Sequence, residues 1–214
     1  MPTPPLPDWI QNAAIPGYAC AHDLCPDETR LYGTESMHGD WGGQVLLLAK
    51  DFAPSRVVRE RIAAGDPRPY RHEPRMRANR VLVRLAAPLE SAGLLYGSAL
   101  ANLLREDGRL SGPLPNRAAA LAYGAEVLRF VVAHMPRLRW VACMGAEAWE
   151  CGCAALGLSG DWEVHRDACE PLGPLVAAYH PSARVSREEM ARAWEMLGSA
   201  ACVRPSRRAI ETDS

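Results

Sequence analysis

Residues able to do chemistry fall repeatedly at one kind of place in this chain, the end of a short apolar run. Gln44–Ala49 (QVLLLA) is followed by Lys50 and Asp51, Leu94–Ala101 (LLYGSALA) by Asn102, and Leu175–Tyr179 (LVAAY) by His180-Pro181-Ser182. A fourth run, Arg139–Met144 (RWVACM), closes at Gly145, where the missing Cβ permits close backbone approach. A carboxylate can orient or deprotonate a water. An amide can donate to one ligand atom and accept from the next, and an imidazole can exchange a proton near neutral pH. If the runs are strands of one parallel sheet, these groups meet in the crevice outside its carboxyl edge, where such sheets bind ligands. Polar loops at strand ends are also ordinary furniture of any α/β domain, and spacing alone leaves both readings open.

The elements that would position them follow from periodicity. Between the apolar runs lie amphipathic stretches. Residues 77–93 read as a helix that Pro88 bends or breaks, 116–135 as a strong helix with Asn116 at its N-cap, and 146–157 as a short one. Residues 186–200 read as the last helix, opened by Ser186 and Glu189 in a capping box. This alternation predicts an α/β fold, a three-layer α/β/α arrangement around a central, mainly parallel four-stranded sheet, with right-handed crossovers. One domain over 1–214 is expected, with a Pro-rich arm at 1–8 and a polar tail at 203–214 as flexible ends.

Composition narrows the function classes. The 214 residues suffice for one real core, and 48% hydrophobic with 23% charged residues is ordinary globular composition. No apolar run approaches the roughly 20 residues of a membrane-spanning helix. The opening MPTPPLPDWI lacks the basic and apolar regions of a secretion signal, so a cytoplasmic protein with no membrane partner is expected. Net charge is −1, so any nucleic-acid contact must come from a local patch. Of the 24 basic residues only Lys50 is a lysine, and nine arginines lie between 56 and 84, with Tyr70 and His72 among them. Arginines interleaved with aromatics suit a single strand or the mouth around an extruded base, and equally a solvated surface. Seven irregularly spaced cysteines suggest free thiols.

The strings AKDFAPS (49–55) and YHPSAR (179–184) resemble motifs A and B of the uracil-DNA glycosylase superfamily, and ANLLRED (101–107), DPRPY (66–70), CPDETRLYG (25–33) and WEMLG (194–198) extend the resemblance over most of the chain. The resemblance implies a DNA partner, single-stranded or duplex with a flipped base, and hydrolysis of the bond between base and sugar. It casts Asp51 as the group that activates water and favours an oxocarbenium-like sugar, and His180 as donor to O2 of the departing base. Asn102 would read O4 and N3 of the base, and Tyr70 would stack on it. Lys50, Phe52 and Ala53 would border the substrate. Ser55, Ser182, Arg184 and Arg71 would hold flanking DNA, with Arg184 or Val185 at the wedge position.

The chain departs from that pattern in two places. Motif A keeps its Asp, but Phe52 replaces a turn-shaping Pro and Ala53 replaces the Tyr that excludes thymine in the uracil-specific branch. Room at Ala53 implies that 5-substituted uracils or other deaminated bases enter. Of the four cysteines of the iron–sulphur branch, Cys20 and Cys25 suit the first two, while Glu106 occupies the third position and 107–142 offers no fourth. No cluster is expected, and no metal or organic cofactor. Cys151, Cys153, His165 and Cys169 have poor spacing for structural zinc and read as core thiols and an ordinary histidine. Two further functions stay open: a nucleic-acid-binding member of the fold that does not cut, and a hydrolase of free nucleosides.

Overall fold

Val45 to Leu48 are four consecutive apolar residues, and all four are buried. Only a central strand covered on both faces accommodates such a run. The computed structural model describes residues 3–25, 37–70, 77–109 and 112–202. In chain order the elements are α1 (Asp8–Gln11), β1 (Tyr18–Cys20), α2 (Ala21–Leu24), β2 (Met37–Gly39), β3 (Val45–Ala49), α3 (Ser55–Ala63) and α4 (Arg77–Ala86). A 3₁₀ turn over Ala87–Ala92 leads to β4 (Leu94–Ser98) and β5 (Leu103–Arg105). Then come α5 (Arg117–His134), β6 (Trp140–Met144), α6 (Ala146–Leu156), α7 (Trp162–Ala168), β7 (Leu175–Ala178) and α8 (Arg187–Cys202).

The fold is α/β. The central sheet has five strands in the order β2-β4-β3-β6-β7, not the four expected. The four read from sequence are mutually parallel where they pair. The fifth, β2, runs antiparallel to β4, with the His38 and Tyr96 rings stacked at 4.9 Å. At three residues β2 is too short to carry a periodic signal. A separate two-stranded ribbon pairs β1 with β5, Tyr18 opposite Arg105.

Alternate residues of the strands face opposite layers. Leu46, Leu48, Val141, Cys143, Leu175 and Ala177 pack with Val127, Leu128 and Trp149 of α5 and α6. Val45, Leu47, Ala142, Met144, Val176 and Ala178 pack with Ala86, Leu89, Trp194 and Leu197 on the other side. Leu6 and Ile10 join the first of these clusters, so the N-terminal arm is docked from Leu6 onward; residues 203–214 lie outside the described residues. Gly43 and Gly93 bring β3 and β4 together at their start. A Cβ on Gly93, at φ +76°, would stand 2.8 Å from the Gly43 Cα and 2.5 Å from Asp40 Oδ2. No helix among the described residues is long and apolar enough to cross a membrane.

Three local expectations are corrected. The second strand stops at Ser98, because the amides of Ala99 and Leu100 donate to the carbonyls of Ala49 and Lys50 instead of continuing the ladder. Asn102 therefore lies beyond the strand end, in a left-handed turn at φ +64° that starts β5. The 77–93 helix ends at Ala86 and tightens into the 3₁₀ turn containing Pro88, which cannot donate the next helical bond. Asn116 precedes α5 but makes no side-chain cap, its backbone being left-handed at φ +41°. The capping box on α8 forms as expected: Glu189 N–H donates to Ser186 Oγ (3.1 Å), and Ser186 N–H to Glu189 Oε2 (2.9 Å).

Candidate active site

The parallel strands deliver three chemical groups to one edge. β3 hands over to Lys50 and Asp51, β6 to Gly145 and then Glu147 in the first turn of α6, and β7 to Tyr179 and His180. Gly145, at φ +117°, donates its amide to the Ala178 carbonyl at 3.1 Å, which holds the β6 and β7 ends together. Lys50 links the three. Its Nζ lies 3.7 Å from Glu147 Oε1 and 3.4 Å from the Gly112 carbonyl, and its charge acts on both Asp51 and His180.

Asp51 is a largely buried carboxylate. Its side chain is 14% exposed, and Oδ2 is sealed with no hydrogen-bond donor in the described protein. Burial pushes its pKa above the ordinary value, while the cations of Lys50 and Arg105 pull the other way. Among the described residues the nearest cation to Oδ2 is Arg105 Nη1 at 3.9 Å.

Arg105 is itself 1% exposed and spends its fork inside the protein. Nε and Nη2 donate to Asp107 (3.2 and 2.6 Å), Nη1 to the Gly112 carbonyl (3.3 Å) and Nη2 to the Pro113 carbonyl (2.8 Å). That hydrogen bonding holds the Asp107 carboxyl below its usual range. An isolated bridge between Pro54 and Arg105 fastens the loop after Asp51 to β5. Across the ribbon, the Tyr18 hydroxyl donates to the Pro115 carbonyl at 3.1 Å, and its pKa is raised to about 12, first by burial.

His180, on which the Lys50 charge acts, is held in a defined tautomer. The Ser182 backbone N–H donates to Nδ1 at 3.2 Å, and Ser182 Oγ lies 2.6 Å from the same atom. An amide N–H can only donate, so Nδ1 is an acceptor and the neutral ring carries its proton on Nε2. Burial, followed by the Lys50 charge, pushes the His180 pKa down. The ring is therefore a neutral Nε2–H donor at physiological pH.

The remaining sequence candidates are placed differently. Asn102 is fully buried, and its Nδ2 donates to the Ile10 carbonyl at 3.2 Å, toward the N-terminal segment and not toward Asp51 or His180. Its Oδ1 is sealed without a donor among the described residues. Tyr70 is also fully buried, in a cluster with Ala21, Cys25, Val58 and Leu104, and it meets the half-buried Phe52 edge-on at 4.5 Å. Ala53 is half-buried. Ser55 is buried as the first residue of α3, so it offers no surface contact in this arrangement. Ser182 and Arg184 are exposed, and Arg71 lies outside the described residues. Cys143, Cys151 and Cys153 are core thiols.

Tyr18, Arg105, Asp107 and Glu147 are the site members that sequence reasoning missed. Arg105 and Asp107 carry a faint signal, since they sit in the same ANLLRED string as Asn102. Tyr18 and Glu147 carry none, because only the tertiary fold brings them within reach of Asp51. No protein-family model matches this chain, and no curated protein matches it.

Proposed function

We propose that this chain is a DNA glycosylase of the uracil type, hydrolysing the N-glycosidic bond of uracil or of a related deaminated or 5-substituted base. One observation carries the reading: a buried carboxylate with an unpartnered oxygen, Asp51, shares a sheet edge with an imidazole held as an Nε2–H donor, His180. Water attacks C1′ as the bond from C1′ to the base nitrogen breaks. The bonding electron pair leaves with the base, whose O2 receives the hydrogen bond from His180 Nε2. Asp51 takes the proton of the water, and its negative charge favours the positive sugar. Lys50 supports both roles, because its charge favours the ionised form of Asp51 against the opposing effect of burial and adds to burial in disfavouring the charged form of His180. It does so from beside Glu147, whose Oε1 lies 3.7 Å from its Nζ.

Base recognition by Asn102 requires its sealed amide to be uncovered: one N–H is taken by Ile10, and only after the covering segment shifts do Oδ1 and the second N–H become an acceptor–donor pair for N3–H and O4 of uracil. Phe52, half-buried next to Asp51 and backed by Tyr70, is the ring that meets an incoming base first. Tyr70 supports it from behind. Ala53 leaves the 5-position open, so Ala53→Tyr should narrow cleavage toward plain uracil, measured against 5-substituted substrates.

The test is incubation with a uracil-containing oligonucleotide followed by alkali, which cuts at abasic sites. Strand cleavage supports the proposal; its absence in wild type rejects it. A second reading has its own support. Asn102 and Tyr70 are both sealed from solvent, which favours a member of the fold that binds nucleic acid without cutting. Retarded migration of the oligonucleotide without cleavage identifies that case.

A further inference from the structure

Of the chain's 24 lysines and arginines, all but Lys50 are arginines. That one exception stands at the carboxyl edge of the sheet, next to Asp51 in sequence and 3.7 Å from Glu147 in space. The two cations differ there in one chemical respect. A guanidinium keeps its proton at any working pH and offers a carbonyl carbon no electron pair, whereas an ammonium that gives up a proton becomes a nucleophile. If charge were all that the position required, arginine would serve it. The Lys50 side chain is 19% exposed, so it is sheltered but reachable. Its Nζ makes one long hydrogen bond, to the Gly112 carbonyl at 3.4 Å, and Glu147 Oε1 lies beyond hydrogen-bond reach. The amine is therefore loosely held, with a carboxylate close by.

We propose that Lys50 gives the protein a second activity, cleavage of the strand at an abasic sugar through an imine between Nζ and C1′. The inference goes beyond base excision and rests on the glycosylase reading for the position of the sugar. Excision leaves a deoxyribose whose ring-opened form carries an aldehyde at C1′, the carbon that water attacks beside Asp51. The Nζ–C1′ bond forms as the carbonyl electron pair moves to oxygen, and that oxygen leaves as water, so ammonium and aldehyde give a protonated imine and one water. The positive imine acidifies C2′–H. Glu147 takes that proton, and the electron pair of the C2′–H bond becomes the π bond of an enamine. The enamine returns its electrons toward C3′, the C3′–O bond breaks, and its pair leaves with the phosphate of the downstream strand. Water then hydrolyses the conjugated imine, which restores the Lys50 ammonium and releases an unsaturated aldehyde on the upstream strand. Glu147 passes its proton to solvent. Water is the one further reactant, and nothing is oxidised or reduced.

The test supplies the abasic sugar ready-made. The full chain is incubated with an oligonucleotide carrying a preformed abasic site. One portion receives borohydride, which reduces an imine to a stable amine, and a second is run on a denaturing gel without alkali. Wild type should form a covalent protein–DNA adduct and cut the strand above the rate without protein. Because the chain has a single lysine, proteolysis and mass spectrometry of the adduct should find the added mass on the peptide containing Lys50. Lys50→Arg keeps the positive charge and should lose adduct and cutting by about tenfold or more. Glu147→Gln should still trap but cut about tenfold more slowly. Melting temperatures close to wild type establish that the variants are folded, and the mass on the wild-type peptide decides the matter if they are not. No adduct in wild type, an adduct on the α-amino group, or an adduct undiminished in Lys50→Arg overturns the proposal. Undiminished cutting by Glu147→Gln overturns the proton transfer assigned to it. Excision of uracil on a separate oligonucleotide keeps the two claims apart. Excision without an adduct rejects the strand cleavage alone, and an adduct on Lys50 without excision rejects the glycosylase alone.

Discussion

At the scale of single residues, the protonation of Asp51 and His180 links activity to stability. Asp51→Asn keeps the shape but cannot accept a proton, so excision should fall by about 10²–10⁴-fold, read as alkali-labile strand breaks per unit time. Its effect on folding has the opposite sign. A carboxyl whose folded pKa is raised favours the folded state at low pH and costs stability as pH rises through the raised value. Removing that charge should therefore leave the melting temperature at pH 7 equal to or above wild type, with the difference shrinking toward pH 4. A lower melting temperature for Asp51→Asn at pH 7 would mean that Arg105, 3.9 Å away, more than offsets the burial. His180 runs the other way. Its folded pKa is depressed, so its contribution is complete above its unfolded value near 6.5 and is lost as pH falls through the lowered folded value. His180→Gln should reduce the loss of stability on that acid side, which a melting series from pH 7 to pH 5 measures.

At the scale of elements, the β1–β5 ribbon and the loop after β3 act as one clamp around Asp51. Arg105 joins them through Asp107 and the carbonyls of Gly112 and Pro113. Arg105→Met leaves those acceptors without their donor and deprives Asp51 of a cation. It should cost about 3–5 kcal/mol in denaturant unfolding and raise the pH at which excision sets in. Arg105→Lys should recover only part of either effect, since an ammonium cannot reproduce the two-pronged contact with Asp107. On α8, Ser186→Ala removes one half of a reciprocal cap and should cost about 1 kcal/mol, with the helix start fraying in hydrogen exchange.

At the scale of the whole molecule, six cysteines (Cys20, Cys25, Cys143, Cys151, Cys153 and Cys169) form no disulfide, and only Cys169 of the six is not buried. Burial raises the thiols of Cys143, Cys151 and Cys153. A thiol reagent at pH 8 should therefore modify Cys169 among these six promptly, and the buried five only as the protein unfolds; rapid modification of Cys151 in the native state would contradict the packing. The sequence by itself determined the parallel strands, the helices between them and the strand ends that carry Lys50, Asp51 and His180. Strongly apolar runs and 3.6-residue periodicity are local properties, and a parallel sheet has one carboxyl edge. It also determined the His180-Pro181-Ser182 turn, whose hydrogen bonds close within three residues. Only the tertiary structure decided that Asn102 and Tyr70 are sealed, that Asn102 lies past the strand end, and that Tyr18, Arg105 and Glu147 surround Asp51. It also added β2 to the sheet. Those outcomes depend on contacts between residues far apart in the chain: Tyr18 opposite Arg105, Ile10 on Asn102, Lys50 beside Glu147. Burial, and with it the shift of a buried group's pKa, is a property of such contacts and has no local signature.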